Sequence, residues 1–149
     1  MSGAYANGIL DALTDWLTSA ALYAALMDQA HNQAANWKET DTDWDDVLVD
    51  MYTGTSAQPP DSVAVAIDSA LDQVEITSAA EEFLAVTQNA TDTVEYVVVF
   101  DNTPAANADK SLVCTDDGGT SGFGVTPNGS SITYTPDATN GIIYYDYGA

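Results

Sequence analysis

The sequence predicts an α+β protein in which β dominates: a small antiparallel β-sandwich, jelly-roll-like, with one or two N-terminal helices. Three observations carry this. Apolar side chains in residues 6–18 recur at helical spacing. From residue 62 onward the pattern shortens to brief runs rich in Val, Ile, Phe and Tyr. Turns of Asp, Asn, Ser and Ala separate those runs. A chain of 149 residues suits one domain with one sizeable core. Residues 1–60 are read as a helix-containing part packed on a sandwich spanning 61–149.

In the first helix Ile9, Leu10, Leu13, Trp16 and Leu17 share one face, while Asp11 and Asp15 take the other. Asn7 is read as its N-cap. "ALYAALMD" (21–28) reads either as a continuation of that helix, favoured by its alanines, or as a buried strand after the break at Thr18-Ser19. Residues 29–40 form a polar loop. In "TDTDWDDVLVDMY" Thr42 is a possible N-cap, and acids in the first turn complement a helix dipole. "TGTSAQPPD" closes the region. Strands follow as "SVAVAI", "QVEIT", "EEFLAVT" and "TVEYVVVF", and the apolar "VVVF" (97–100) predicts a central strand buried on both faces. "SLVCT" (111–115) is another strand, and "DDGGTSGFG" a Gly-rich turn. "GVTPNGSSITYTPDATNGIIYY" (124–145) reads as a hairpin: Pro127 and Asn128-Gly129 launch Ser130–Thr135, and Thr139-Asn140-Gly141 returns the chain as Ile142–Tyr145.

Charge narrows the function. Eighteen Asp and five Glu face two cations, Lys38 and Lys110, with no Arg, for a formal net charge of -21. Self-repulsion of that size opposes the compact state in dilute buffer. Near-loss of Lys, Asp well in excess of Glu, and abundant Ala and Thr fit a protein of a halophile. A chain with so few cations has little to neutralise phosphates, so neither nucleic acid nor an anionic membrane is expected as a partner. A lone Cys114 makes no internal disulfide, and one Cys with His31 makes no zinc site. The N-terminal stretch lacks the basic start of a signal peptide, and the chain is expected to be an unprocessed product of the cytoplasm.

Residues that could carry chemistry resolve into bland readings. "DTDWDD" opens like a calcium-binding loop, but Asp46 and Tyr52 stand where Gly and Glu are needed, which favours a helix N-terminus. Glu81 and Glu82 could be imagined as a glycosidase pair, yet neighbours on a strand point to opposite faces. Cys114, between Val113 and Thr115, reads as a small apolar filler, and His31 as an exposed histidine. The glycines of "DDGGTSGFG" lack the Lys of a phosphate loop. Asn89 and Asn128 begin chance sequons at turns. No catalytic residue, cofactor or metal is expected.

The order of the segments is itself informative. "ILDALTDWLTS", "ALYAALMD", "TDWDD", "VEYVVVFDNTP", "KSLVCTDDGG" and "VTPNGSSITYTPDATNGIIYY" run in sequence along nearly the whole chain. In that order the chain resembles a broad family of small phage virion proteins, described as minor structural, decoration or tail-associated. It lacks the basic residue such proteins carry after the first helix, and has Tyr where they have Trp or Leu near the end. The resemblance implies a small β-sandwich that packs on a protein lattice in the virion of a halophilic, archaeal tailed virus. The expected role is capsid decoration: a homo-oligomer bound to the major capsid protein or other virion proteins. A tail, baseplate or head–tail connector component is the alternative, and a soluble carbohydrate-binding β-sandwich, with Tyr144, Tyr145 and Tyr147 as ring donors, the second. Trp37, Trp44, Tyr52 and Phe123, aromatics in or beside polar loops, are the candidate contact residues, with core packing as the competing role for each.

The charge makes a first prediction. Raising salt from about 0.1 M to about 1 M shortens the Debye length from ~10 to ~3 Å. The thermal midpoint should therefore rise steadily across that range by circular dichroism, where a surface of balanced charge would change little.

Overall fold

The computed structural model describes residues 3–28, 41–88, 93–116, 124–136 and 142–146. Helix α1 (Gly3–Ser19) is followed by strand β1 (Leu22–Asp28), a short helix α2 (Trp44–Val47) and a 3-10 turn (Leu48–Asp50), with a second 3-10 turn (Asn107–Asp109) further along the chain. Seven strands follow: β2 (Ala64–Asp68), β3 (Gln73–Thr77), β4 (Glu81–Phe83), β5 (Val94–Asp101), β6 (Leu112–Asp116), β7 (Ile132–Tyr134) and β8 (Ile143–Asp146). The protein is mainly β. Its strands form three antiparallel sheets in the orders β1-β5-β6, β2-β3-β8 and β4-β7.

β5 is the centre of the molecule. It pairs with β1 on one side, from Leu22 opposite Asp101 to Asp28 opposite Val94, and with β6 on the other. Val97, Val98 and Val99 are fully buried and Phe100 nearly so. Alternate side chains feed two cores, as the period of a strand dictates. Val97 and Val99 join Leu22, Ala24 and Leu26 of β1 in the larger core, with Ile76, Phe83, Ile132 and Tyr134 from the other two sheets. Val98 and Phe100 face the opposite way, into a smaller core with Ala25, Met27, Trp44 and Val47. The continuous apolar run "VVVF" is thus a strand covered on both faces.

The N-terminal third is woven into this sheet. "ALYAALMD" is a strand despite its alanines, because its 22, 24 and 26 positions complete one core and its 25 and 27 positions the other. Here tertiary burial overrides helix propensity. α1 begins at Gly3, so Asn7 is inside the helix and is not its cap; Ala6, 2% exposed, anchors that extra turn. Leu13, Trp16 and Leu17 pack on the larger core as their spacing requires. At the other end the Thr18 and Ser19 hydroxyls donate to the carbonyls of Asp15 and Trp16 at 2.7 and 2.9 Å, satisfying last-turn acceptors before the chain turns into β1.

The cap of α2 is Asp43 rather than Thr42. Its side chain accepts from the Asp45 N–H at 3.1 Å, while the Asp46 carboxylate accepts from Thr42 N–H at 2.9 Å and Asp43 N–H at 3.4 Å. This reciprocal capping box accounts for the acids of "TDTDWDD".

The C-terminal hairpin is a correction. β7 pairs with β4, Glu81 opposite Tyr134, and β8 pairs with β3, Val74 opposite Tyr145, so the two strands of the expected hairpin lie in different sheets. The Asn128-Gly129 turn does form: Gly129 has φ +90° and the Ser130 N–H donates to Asn128 Oδ1 at 3.0 Å. The Gly129 N–H, however, donates to the Val86 carbonyl at 3.0 Å, joining β7 to the segment after β4. Ile132 and Tyr134 then bury one face against Phe83. Long-range burial decides the partners, which alternation alone leaves open. The Gly-rich turn of 117–123, the loop 29–40 and the Thr139-Asn140-Gly141 turn lie outside the described residues.

The two-sided role of β5 is testable by truncation. Phe100→Ala removes a ring stacked on Trp44, with centroids 4.2 Å apart and planes 11° from parallel, and should cost about 3–5 kcal/mol by denaturant titration in molar salt. Val49→Ala, at a side chain 83% exposed, should stay within about 0.5 kcal/mol of the parent.

Candidate interaction surface

Core packing describes two of the four candidate contact aromatics. Trp44 is 4% exposed, a residue of the smaller core stacked on Phe100. Tyr52 is 1% exposed and donates its hydroxyl to the Thr87 carbonyl at 2.9 Å. Both rings are buried in the cores, so neither is offered to a neighbour at the surface. Trp37 and Phe123 lie outside the described residues, as do His31 and Asn89. Glu81 and Glu82 point to opposite sides of β4, Glu81 buried and Glu82 exposed. Cys114 is half-buried against the larger core.

Two surface features stand out against the acidic background. The first is the β2–β3 hairpin. Asp68 opposite Gln73 closes its loop, and Asp68 Oδ1 accepts from the N–H groups of Ala70 and Leu71 at 2.7 and 3.1 Å. That carboxylate is used up by the turn. Asp72 completes the loop at φ +55°. β2 is an edge strand; among the described residues only β3 pairs with it. From Ala64 to Ile67 it carries no charge, proline or bulge, the usual protections of an exposed edge. Ile67 and Leu71 are 36% and 43% exposed.

The second feature is a polar cleft of about 400 Å³ between the 53–58 loop and β4, lined by Thr53, Gly54, Thr55, Ser56, Gln58, Glu82 and Leu84. Its loop is a bulge in a segment that runs along the outer side of β1. Tyr52 N–H donates to the Leu26 carbonyl at 2.9 Å, and Gln58 exchanges two backbone hydrogen bonds with Ala24 at 2.7 and 2.8 Å. At the loop's crest the Gly54 carbonyl accepts from Thr87 N–H and Oγ1 at 3.3 and 3.4 Å. A Cβ on Gly54 would strike the Thr87 carbonyl and the Tyr52 ring, so close backbone approach requires glycine there. In the sequence, "TGTSAQPPD" shows only a turn. The density of Thr, Ser and Gln beside Gly is the one signal of a polar cleft.

Two carboxyls depart from ordinary behaviour. Burial raises the Glu81 carboxyl, the Asp61 carboxylate adds to the rise, and the Asp61 backbone N–H partly opposes it. Burial also pushes Asp101 upward, but three hydrogen bonds outweigh it and leave its value lowered. They come from the Thr103 hydroxyl at 2.6 Å, the Thr103 N–H at 2.9 Å and the Ala21 N–H at 3.2 Å. This clamp ties the α1–β1 corner to the end of β5; it is structural rather than chemical. Among the described residues no three His, Cys, Asp or Glu side chains converge as metal ligands, and no helix is long and apolar enough to cross a membrane.

Compared with models of protein families, with curated proteins and with solved structures, the chain matches none.

Gly54→Ala should lower stability by about 1–3 kcal/mol through overpacking against Thr87 and Tyr52, read by denaturant melts. The two carboxyls predict opposite pH windows. A raised Glu81 stabilises the fold below the ordinary glutamate value, and that contribution is lost as pH climbs through the raised one. Glu81→Gln should therefore abolish this part of the parent's slope. A lowered Asp101 stabilises above the ordinary aspartate value and loses that contribution as pH falls through the lowered one. Thr103→Val should destabilise at neutral pH, with the difference from the parent shrinking on acidification.

Proposed function

We propose that this chain is a structural virion protein of a halophilic tailed virus that decorates the capsid shell by docking on the major capsid protein. The observation that carries the reading is the edge of β2, which among the described residues pairs only with β3. In a chain with 23 acidic residues, a regular four-residue edge, Ala64–Ile67, keeps its outer backbone groups and its apolar side chains free of charge. Such an edge accepts an added strand from a partner. With no charge, proline or bulge of its own from Ala64 to Ile67, it invites aggregation in a chain that works alone and serves a purpose in one that works assembled. The order of sequence segments shared with small phage virion proteins supports the same reading. The finer architecture belongs to the proposal too: a small jelly-roll-like sandwich, supported by a larger core that draws on all three sheets. An acidic outer surface would keep particles dispersed in molar salt.

Purified particles kept in molar salt and crosslinked through carboxylates give the test. In high copy, crosslinks from the β2–β3 hairpin to the major shell protein are expected, and Ile67→Lys or Leu71→Lys should abolish particle binding while leaving the melting curve in place. Low copy with links to tube or portal proteins would move the chain to the tail or neck. Absence from particles would overturn the virion reading altogether.

A further inference from the structure

We propose that the cleft between the 53–58 loop and β4 binds a neutral polyhydroxylated ligand, a sugar unit, with Glu82 as the principal acceptor. This goes beyond the assembly role and does not depend on it. The cleft's volume, about 400 Å³, lies in the ~300–1,000 Å³ range of small-ligand sites. Its chemistry selects the ligand by elimination. Among the described residues of the lining Glu82 is the one charged side chain, with no Lys, Arg or His beside it, so phosphate, sulfate and carboxylate ligands would meet repulsion from it. None of those described residues is aromatic, so they offer a flat base or ring no stacking partner. A single carboxylate is also too little for a dedicated hard-cation cage, which gathers several.

What remains is a complement of donors and acceptors. On the loop side are the hydroxyls of Thr53, Thr55 and Ser56 and the amide of Gln58. Gln58 Nε2 reaches Ser56 only at 3.3 and 3.4 Å, so it has capacity for a better acceptor. Facing the loop is the carboxylate of exposed Glu82, which accepts and cannot donate. A sugar hydroxyl does both: it donates to a carboxylate while accepting from an amide or hydroxyl, and charge assistance strengthens the first bond. Leu84, 69% exposed in the same lining, offers an apolar patch for the C–H face of a ring.

The loop is also held ready. The two Gln58–Ala24 hydrogen bonds fix one end and Tyr52 N–H to Leu26 the other, with Gly54 clamped by Thr87 between them. Little ordering remains to oppose binding, which is the condition under which weak polar contacts add up to measurable affinity.

The experiment uses the purified full chain in molar KCl. Methyl glycosides of glucose, galactose, mannose and N-acetylglucosamine, and then oligosaccharides released from host cell-surface glycans, are titrated by NMR and calorimetry. Saturable binding of at least one, at about the millimolar level for a single unit, is expected. Glu82→Gln should weaken it by about tenfold, the size of one lost charge-assisted bond. Ser56→Ala and Leu84→Ala should each weaken it less, all three variants melting as the parent does. Binding by released glycans but by no free monosaccharide still supports the site and identifies an extended chain as its ligand. The proposal is overturned if no glycan binds, if binding survives Glu82→Gln and Ser56→Ala together, or if K⁺ or Na⁺ alone produces the Glu82-dependent signal. None of these outcomes bears on whether the chain is found in particles.

Discussion

Everything in this structure hangs on β5 being covered on both faces and both edges. Its backbone is paired with β1 and β6, and its side chains, like those of β1, alternate between the two cores. One core takes α1 and the β4-β7 sheet; the other is roofed by α2. The Val97–Phe100 stretch of β5 needs an unbroken apolar sequence, because none of those four positions faces water.

Around that centre the acidic residues are put to local use. Asp43 and Asp46 close a capping box, Asp68 holds a hairpin loop, and Asp101 clamps a corner through Thr103 and Ala21. Each accepts backbone N–H groups that would otherwise lack a partner, which explains how so much negative charge coexists with order. Exposed acids such as Asp11, Asp15 and Glu82 add surface charge, tolerable where salt screens it. Against that background the uncharged stretch of the β2 edge and the polar cleft beside Glu82 are the departures, and both functional proposals begin from departures.

The fate of the aromatics shows how local context misleads. Trp44 and Tyr52 sit in polar stretches, where an aromatic reads as a contact residue, yet each closes a core. Trp44 roofs the smaller core from a helix only four residues long. Tyr52 enters the larger core while its hydroxyl finds Thr87, so an amphipathic ring meets both its needs inside the chain. The surface instead presents smaller aliphatic groups: Ile67, Leu71 and Leu84.

By itself the sequence determined the strand-rich class, the amphipathic α1, the doubly buried "VVVF", the acid-rich start of the helix at Trp44, though not its cap, and the tight turn at Asn128-Gly129. Each of these follows from neighbours within a few residues: period, capping or turn chemistry. Only the tertiary structure decided that "ALYAALMD" is a strand, that β7 joins β4 while β8 joins β3, and that the 53–58 bulge meets Glu82 and Leu84 to form a cleft. Those outcomes rest on contacts between distant segments. Alternation tells which face of a strand is buried but is silent on which strand lies beside it, because register and partner are chosen by the burial they complete.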